Sequence, residues 1–157
     1  MPAYSFHQKN IEEFHKKHDF AIGVDFKTEE PVSEEAEADL LSDAASDMLQ
    51  AAMKMEHYMR NSPHTQRIAR AQIMIEELSE ILEAMVTRDE VSFLDGLADL
   101  QFVLFGTAVA YGIDLEGPHL EVCRSNMSKA AGGSDQVRLR DKGPDYSPPN
   151  MKQSIKE

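Results

Sequence analysis

Apolar residues recur at spacings of three and four along most of the chain, a pattern typical of amphipathic helices. The stripes predict five helices with short connections between them. Their predicted limits are Ser5 to about Asp19, Ser33 to about Arg60, Pro63 to about Val86, Asp89 to Gly112, and Gly117 to just before Gly132.

Several of these predicted helix ends have capping residues in the sequence. Ser5 followed by Gln8 forms a capping box, and Ser62-Pro63 supplies a cap with proline at the first helical position. Asp89 is a good N-cap, and Gly112 suits the left-handed position after a helix. These signals predict an all-α, antiparallel helical bundle.

The last part of the chain, residues 131–157, has a different pattern. It is rich in turn residues and basic, with brief alternation at VRLRD before KGPDYSPPN. We expect an irregular tail with a short hairpin and a terminal helical turn at MKQSIKE. The prediction is one domain over 1–157, with this tail attached.

The fourth predicted helix is the most informative segment. Leu97–Tyr111 is apolar on nearly every side, so we expect it to be the most buried stretch of the bundle. Asp99 falls inside it, and burying a lone carboxylate costs several kcal/mol, to order of magnitude. This carboxylate must therefore be protonated, paired with a cation or bound to a metal.

Composition narrows the class of protein. The chain has 157 residues, 41% apolar and 28% charged, which suits one soluble globular domain. No apolar run reaches about 18 residues, so we expect no membrane span, and the N-terminus lacks the layout of a secretion signal. The single cysteine, Cys123, cannot form an internal disulfide, and the expected location is the cytoplasm.

The charge is unevenly distributed. The net charge is −12, with −14 over residues 1–119 and +2 over residues 120–157. An acidic body argues against nucleic acid as a partner. A phosphate-bearing ligand would need metal ions to bridge it to this body, with help from the basic tail.

Two helices carry acids that could hold such ions. Glu77 and Glu80 lie one turn apart on the third helix beside Glu76, and Asp95 lies one turn before Asp99 on the fourth. Carboxylates from facing helices suit a hard divalent cation, Mg²⁺ with Mn²⁺ as a substitute. The competing interpretation is that acids in an acid-rich chain simply form a solvated helix face.

The remaining reactive side chains give weaker signals. The six histidines are scattered, and we interpret them as surface or interface residues. Cys123 is interpreted as a small core residue, because no basic or histidine partner is spaced to activate it. Nucleophile-elbow and phosphate-loop motifs are absent from the sequence.

EELSE followed by DGLADLQFVLFGTAVAYGIDL resembles the MazG-like, all-α nucleoside triphosphate pyrophosphohydrolases, which include phosphoribosyl-ATP pyrophosphohydrolase. The family pattern is EExxE on one helix and ExxD on the next, and its acids bind Mg²⁺. The resemblance implies metal ligation by Glu77, Glu80 and Asp99. Gly96 stands where the pattern has glutamate, and neighbouring Asp95 looks like a shifted replacement.

A second match lies downstream. SNMSK and RDKGPDYSPPN resemble the ending of one branch of this superfamily, in which an Asn and a Lys face the substrate phosphates. The resemblance implies that role for Asn126 and Lys129, and it covers about residues 64–150. The acidic helix at 33–60 looks like extra material, and family members form homodimers or homotetramers.

The sequence thus predicts a Mg²⁺-dependent enzyme that splits a nucleoside triphosphate into monophosphate and diphosphate, with a role in cleaning the nucleotide pool. Glu76 or Glu77 would accept the proton of the attacking water, while Lys129 and Lys142 would stabilise the leaving diphosphate. Two alternatives stay open: hydrolysis of phosphoribosyl-ATP in histidine biosynthesis, and a non-enzymatic acidic helical interaction module.

Overall fold

A computed structural model of the chain describes residues 5–29, 33–130 and 142–154. Within these ranges the chain forms helices and no strand, which confirms the all-α prediction. The α-helices are α1 (Phe6–His18), α2 (Glu34–Asn61), α3 (Gln66–Thr87), α4 (Glu90–Ala110) and α5 (Glu116–Met127), followed by a 3-10 turn at Met151–Ser154. The hairpin expected around VRLRD falls outside the described residues.

The helices divide into two compact units. Residues 25–112 form the first, in which α3 packs against both α2 and α4. Residues 1–24 and 113–157 form the second, in which α1 and the 3-10 turn pack against α5. The expectation of a single domain over the whole chain stays a prediction.

The end signals are confirmed at α1 and α4. Ser5 and Gln8 form the predicted capping box, with the Gln8 side chain accepting from the Ser5 N–H at 3.0 Å. The Asp89 carboxylate accepts from the Val91 N–H at 3.0 Å, and Gly112 has the expected positive φ of 66°. Local side-chain chemistry therefore defines these helix ends.

The predicted start of α3 is wrong by three residues. Ser62 is extended and ends α2, and Thr65 is the residue before the first turn of α3. The Asn61 amide donates to the His57 carbonyl at 2.7 Å and so caps the last turn of α2. Ser62-Pro63 is consequently part of the connection rather than a helix start.

The α4 helix corrects the expectation that Leu97–Tyr111 is the most buried stretch. Phe102 and Val109 are each 78% exposed, and of the whole helix only Gly96, Val103 and Ala108 are buried. Within its unit, α3 is the helix that covers α4. A helix that is apolar on every side therefore keeps most of its surface uncovered in a single chain.

By length and composition alone, α4 is also long and apolar enough to cross a membrane. Asp95 and Asp99 interrupt the apolar sequence of this helix, which is why no uninterrupted apolar run of about 18 residues predicts it. One helix of this kind is weak evidence by itself and does not indicate a membrane protein. The absence of a membrane partner stays a prediction.

The helices α3 and α4 approach each other closely at Gly96. This glycine is buried, and a Cβ atom built on it would lie 2.7 Å from Cγ1 of Ile81. No real Cβ tolerates such a distance to a branched side chain, so only glycine fits this spacing of the helices.

In the second unit, His18 contradicts the interpretation of the histidines as surface or interface residues. It is 1% exposed and packs against Phe14, with ring centroids 4.5 Å apart. The apolar stripe of α1 thus includes a histidine, which the hydrophobic pattern does not register.

Candidate active site

The acids of EELSE lie in the middle of α3. Glu76 and Glu77 are half-buried, whereas Glu80 is exposed. Because α3 packs against helices on two sides, its central acids cannot all point to solvent. The helix therefore presents carboxylates at the margin of its packed face.

Glu76 is held in place from within its own helix. Gln72 is buried, and its Nε2 donates to Oε2 of Glu76 at 2.8 Å. The Ser79 hydroxyl, also buried, donates to the Glu76 carbonyl at 2.8 Å. One carboxylate oxygen of Glu76 is thus fixed by an amide four residues away, a spacing that brings side chains together on a helix.

Glu77 has the most unusual environment of the acids. Its Oε2 atom is buried and makes no hydrogen bond within the described residues. Burial raises the pKa of Glu77 most, and the negative charges of its neighbours raise it further; in decreasing order these are Glu80, Asp99, Glu76 and Asp95. The other four predicted acids therefore all act on Glu77 electrostatically, and we call the five residues the carboxylate cluster.

Asp95 and Asp99 contribute to this cluster from the exposed surface of α4. The expectation that Asp99 is a buried carboxylate is wrong, because its face of α4 is open in the single chain. Among the described residues none of the five acids forms an ion pair, so the alternative of a salt bridge between Asp99 and a buried arginine is not observed.

The described side chains do not form a ready-made metal centre. No group of three or more His, Cys, Asp or Glu residues in the described ranges is arranged to hold an ion. Glu77, Glu80 and Asp99 are electrostatic neighbours, but the expected convergence on one point is not seen. Their roles as ligands, and that of Asp95, stay predictions.

Two residues of α3 were missed by the sequence analysis. Gln72 is one, and its position four residues before Glu76 is the signal that could have identified it. Arg70 is the other: its Nε is buried and unpaired within the described residues. A Cβ on Gly106 would lie 3.4 Å from Nη1 of Arg70, so the small residue leaves room for the guanidinium against α4.

The residues predicted to face phosphates belong to the second unit, whereas the carboxylate cluster lies in the first. Asn126 and Lys129 are half-buried at the end of α5. Lys142 is exposed, and its ammonium lies 4.7 Å from the centre of the Tyr146 ring.

Side chains of α5 fasten the tail that follows. The Ser128 hydroxyl accepts from the Ser147 N–H at 2.8 Å, and Nη2 of Arg124 donates to the Pro148 carbonyl at 3.1 Å. Glu121 accepts from the Asn150 N–H at 2.8 Å. Hydrogen bonds from Arg124 first, and then from Asn150, lower the pKa of Glu121 to about 2.

The chain matches the family model for phosphoribosyl-ATP pyrophosphohydrolase over residues 46–126, more than half of its length. The chain belongs to this family. No curated protein and no solved structure matches it. Membership in the phosphoribosyl-ATP pyrophosphohydrolase family confirms the resemblance inferred from EELSE and DGLADL, and it indicates a pyrophosphohydrolase.

The match also shows which parts of the chain are similar to the family. It includes the whole carboxylate cluster and the second half of α2, so only the part of α2 before residue 46 lies outside it. Asn126 is the last matched residue, and Lys129 and Lys142 lie beyond it. The match to the phosphoribosyl-ATP pyrophosphohydrolase family thus includes the acids of α3 and α4, but it does not extend to the tail.

Cys123 has a neighbour that the sequence analysis overlooked. Its Sγ lies 3.5 Å from Nε2 of His119, one helical turn earlier. Burial raises the pKa of the Cys123 thiol, so the group stays protonated at neutral pH and is not an activated nucleophile. The prediction that this cysteine has no histidine partner is therefore wrong, although its chemistry is as expected.

Proposed function

We propose that the protein is a Mg²⁺-dependent nucleoside triphosphate pyrophosphohydrolase, which converts a (d)NTP and water into a (d)NMP and diphosphate. Family membership supports the pyrophosphohydrolase class. The observation that carries the proposal is the carboxylate cluster on two packed helices, in which Glu77 keeps a buried oxygen without a hydrogen-bond partner.

The donor set suits the proposed ion. Mg²⁺ and Mn²⁺ prefer carboxylate oxygens and retain several water ligands, so a few acids are sufficient. Glu77, Glu80, Asp95 and Asp99 are the proposed ligands, and the unpartnered Oε2 of Glu77 is one oxygen ready for such a bond. When bound, the ion would neutralise substrate phosphates and lower the pKa of a water molecule.

The remaining steps belong to the chain's own residues. Glu76 or Glu77 accepts the proton of the attacking water as its oxygen bonds to the α-phosphorus, and the bond from this phosphorus to the bridging oxygen breaks. The electron pair leaves with the diphosphate. Gln72 would orient Glu76 for this role, and Asn126, Lys129 and Lys142 are proposed to bind the phosphates.

We further propose that the protein acts as a homodimer or homotetramer in the cytoplasm. Asp95, Asp99 and exposed Phe102 follow one another at spacings of four and three residues, so they share one face of α4. A second copy that covered Phe102 would also lie beside these two acids.

Phosphoribosyl-ATP is the second candidate substrate. The observation that favours it is the family match itself, because the matched model is that of phosphoribosyl-ATP pyrophosphohydrolase. The chemistry would be the same, with an α–β phosphoanhydride bond broken and diphosphate released.

A substrate panel tests these proposals. The purified protein, with Mg²⁺ and separately with Mn²⁺, is given canonical and modified nucleoside triphosphates and phosphoribosyl-ATP, and diphosphate and orthophosphate are measured separately. Diphosphate from triphosphates supports the main proposal, and diphosphate from phosphoribosyl-ATP alone supports the second. Release from neither substrate would favour the non-enzymatic interaction module.

A further inference from the structure

A cavity of about 310 Å³ opens in the second unit, and none of the five acids of the carboxylate cluster lines it. It lies between α1, the chain just after α5 and the turn that follows residue 142. Its polar lining includes Lys17, Ser128, Lys129 and Asp145. This volume is at the lower end of the range for small-ligand sites, roughly 300–1,000 Å³.

The charges at this cavity are opposite to those of the whole chain. Lys17 and Lys129 bring two ammonium groups, and neither forms an ion pair with Asp145 among the described residues. The Lys17 ammonium donates to the Met127 carbonyl at the end of α5, which directs this long side chain toward the cavity. In a protein of net charge −12, two lysines at one cavity that form no ion pair among the described residues favour an anionic ligand.

The buried ring of His18 is influenced by both lysines. Its ring is 1% exposed, and neither nitrogen makes a well-formed hydrogen bond within the described residues. Burial lowers the pKa of His18 most, and the charges of Lys17 and Lys129 lower it further, against a smaller opposite effect of the Asn126 and Ala130 backbone. The ring thus stays neutral at neutral pH and adds no charge of its own.

Gly143 shapes the opposite wall. Its φ is 60°, and a Cβ built on it would lie 2.9 Å from Cβ of Ala130. Only glycine combines this left-handed conformation with such a close approach, so the turn after Lys142 lies directly against the end of α5. Two separate segments therefore meet at the cavity in a fixed arrangement.

We propose that this cavity binds inorganic diphosphate, the product of the proposed reaction, and that Lys17 of α1 is a binding residue together with Lys129. That the bound diphosphate is the protein's own product rests on the proposed function. It adds a residue from a helix that lies outside the family match.

The test measures binding of inorganic diphosphate to the full-length protein by calorimetry, with a chelator present so that no metal ion contributes. We expect Lys17→Ala and Lys129→Ala each to weaken binding at least tenfold, and Lys17→Arg to retain it. Lys16→Ala is the matched control, since it removes one positive charge from the adjacent position of α1, outside the cavity lining. Far-UV circular dichroism confirms that each variant is folded.

Two results would overturn the inference: no binding of diphosphate to the wild-type protein, or equal losses in Lys17→Ala and Lys16→Ala. The hydrolysis assay separates this inference from the proposed function. Hydrolysis by a protein in which Lys17→Ala leaves diphosphate binding unchanged would reject the cavity and keep the enzyme. Lys17-dependent diphosphate binding without hydrolysis of any nucleotide would keep the anion site and reject the enzyme.

Discussion

Substitution of Asp99 can distinguish an effect on catalysis from an effect on folding. It is exposed and makes no ion pair within the described residues, so replacing it should not disturb the packing of α4. We predict that Asp99→Asn lowers kcat/KM for diphosphate release at least a hundredfold, because the variant loses a charged oxygen while keeping its volume. Steady-state assays with Mg²⁺ give this ratio, and thermal unfolding should give an unchanged Tm.

Asp43→Asn is the control for this substitution. Asp43 is an exposed aspartate on α2 and lies outside the carboxylate cluster. The two variants have the same change in net charge, so a loss of activity shared by both would remove Asp99 from the active site.

His18 gives a prediction for the dependence of stability on pH. Its pKa is lowered from 6.5 in the folded chain, by burial first and by Lys17 and Lys129 next. The unfolded chain therefore binds the proton more readily, and the free energy of unfolding falls as the pH drops below 6.5 toward the folded pKa. Denaturant unfolding between pH 8 and pH 5 should show this loss, and His18→Phe, which cannot titrate, should reduce the slope.

An unchanged slope in His18→Phe would assign the pH dependence to other groups. Glu121 titrates in a separate and more acidic range, because its pKa is lowered to about 2 and its contribution is lost only below the unfolded value of 4.5. The two residues can therefore be distinguished by the pH at which stability falls.

At this scale, spacing along each helix was enough to place Glu77 beside Glu80 on α3 and Asp95 beside Asp99 on α4, because residues three or four apart share a helix face. The proximity of Asp99 to Glu77 depends in addition on the packing of α3 against α4. His18 and Lys17 could not be found in this way. Their environment comes from the end of α5, which is more than a hundred residues away in sequence.

At the scale of the helices, Gly96 offers a test of the contact between α3 and α4. Alanine is normally the better helix former, but at Gly96 its Cβ would meet Ile81 at 2.7 Å. We predict that Gly96→Ala costs about 1–3 kcal/mol of unfolding free energy, the usual range for overpacking. Equilibrium denaturation gives the value, and the cost should shrink in an Ile81→Ala background.

Gly117→Ala serves as the comparison, since nothing lies within 4 Å of a Cβ at this position near the start of α5. It should be neutral or slightly stabilising. Equal destabilisation by both substitutions would mean that the α3–α4 contact is not the cause.

Helix limits could be predicted wherever a side chain caps the backbone, as at Ser5 and Asp89. The start of α3 could not, because Thr65 makes no side-chain capping bond there. The exposure of most of α4 in the single chain could not be predicted either. An apolar surface indicates that something covers a helix, but it does not say whether the cover comes from the same chain.

For the whole molecule, the exposed apolar stripe of α4 favours self-association. Leu94, Ala98, Phe102, Phe105 and Val109 are all exposed and follow at spacings of three and four residues. We predict that the protein sediments as a homodimer or larger, and that Phe102→Glu dissociates it by placing a charge in the middle of the stripe. Sedimentation velocity distinguishes the species.

Val24→Glu is the matched control, because Val24 is also an exposed apolar residue but lies outside α4. Dissociation by Val24→Glu and not by Phe102→Glu would assign the interface to another surface. A wild-type protein that sediments as a monomer would contradict the prediction altogether.

The close approach at Gly96 has a consequence for ion preference. The distance between the acids of α3 and those of α4 is set by a residue that has no functional group. Metal–oxygen bonds are about 2.0–2.1 Å for Mg²⁺ and 2.3–2.6 Å for Ca²⁺. If the proposed ligands bind an ion, a larger residue at this position would separate the two rows of oxygens, and selectivity would shift toward the larger cation without any change of ligand.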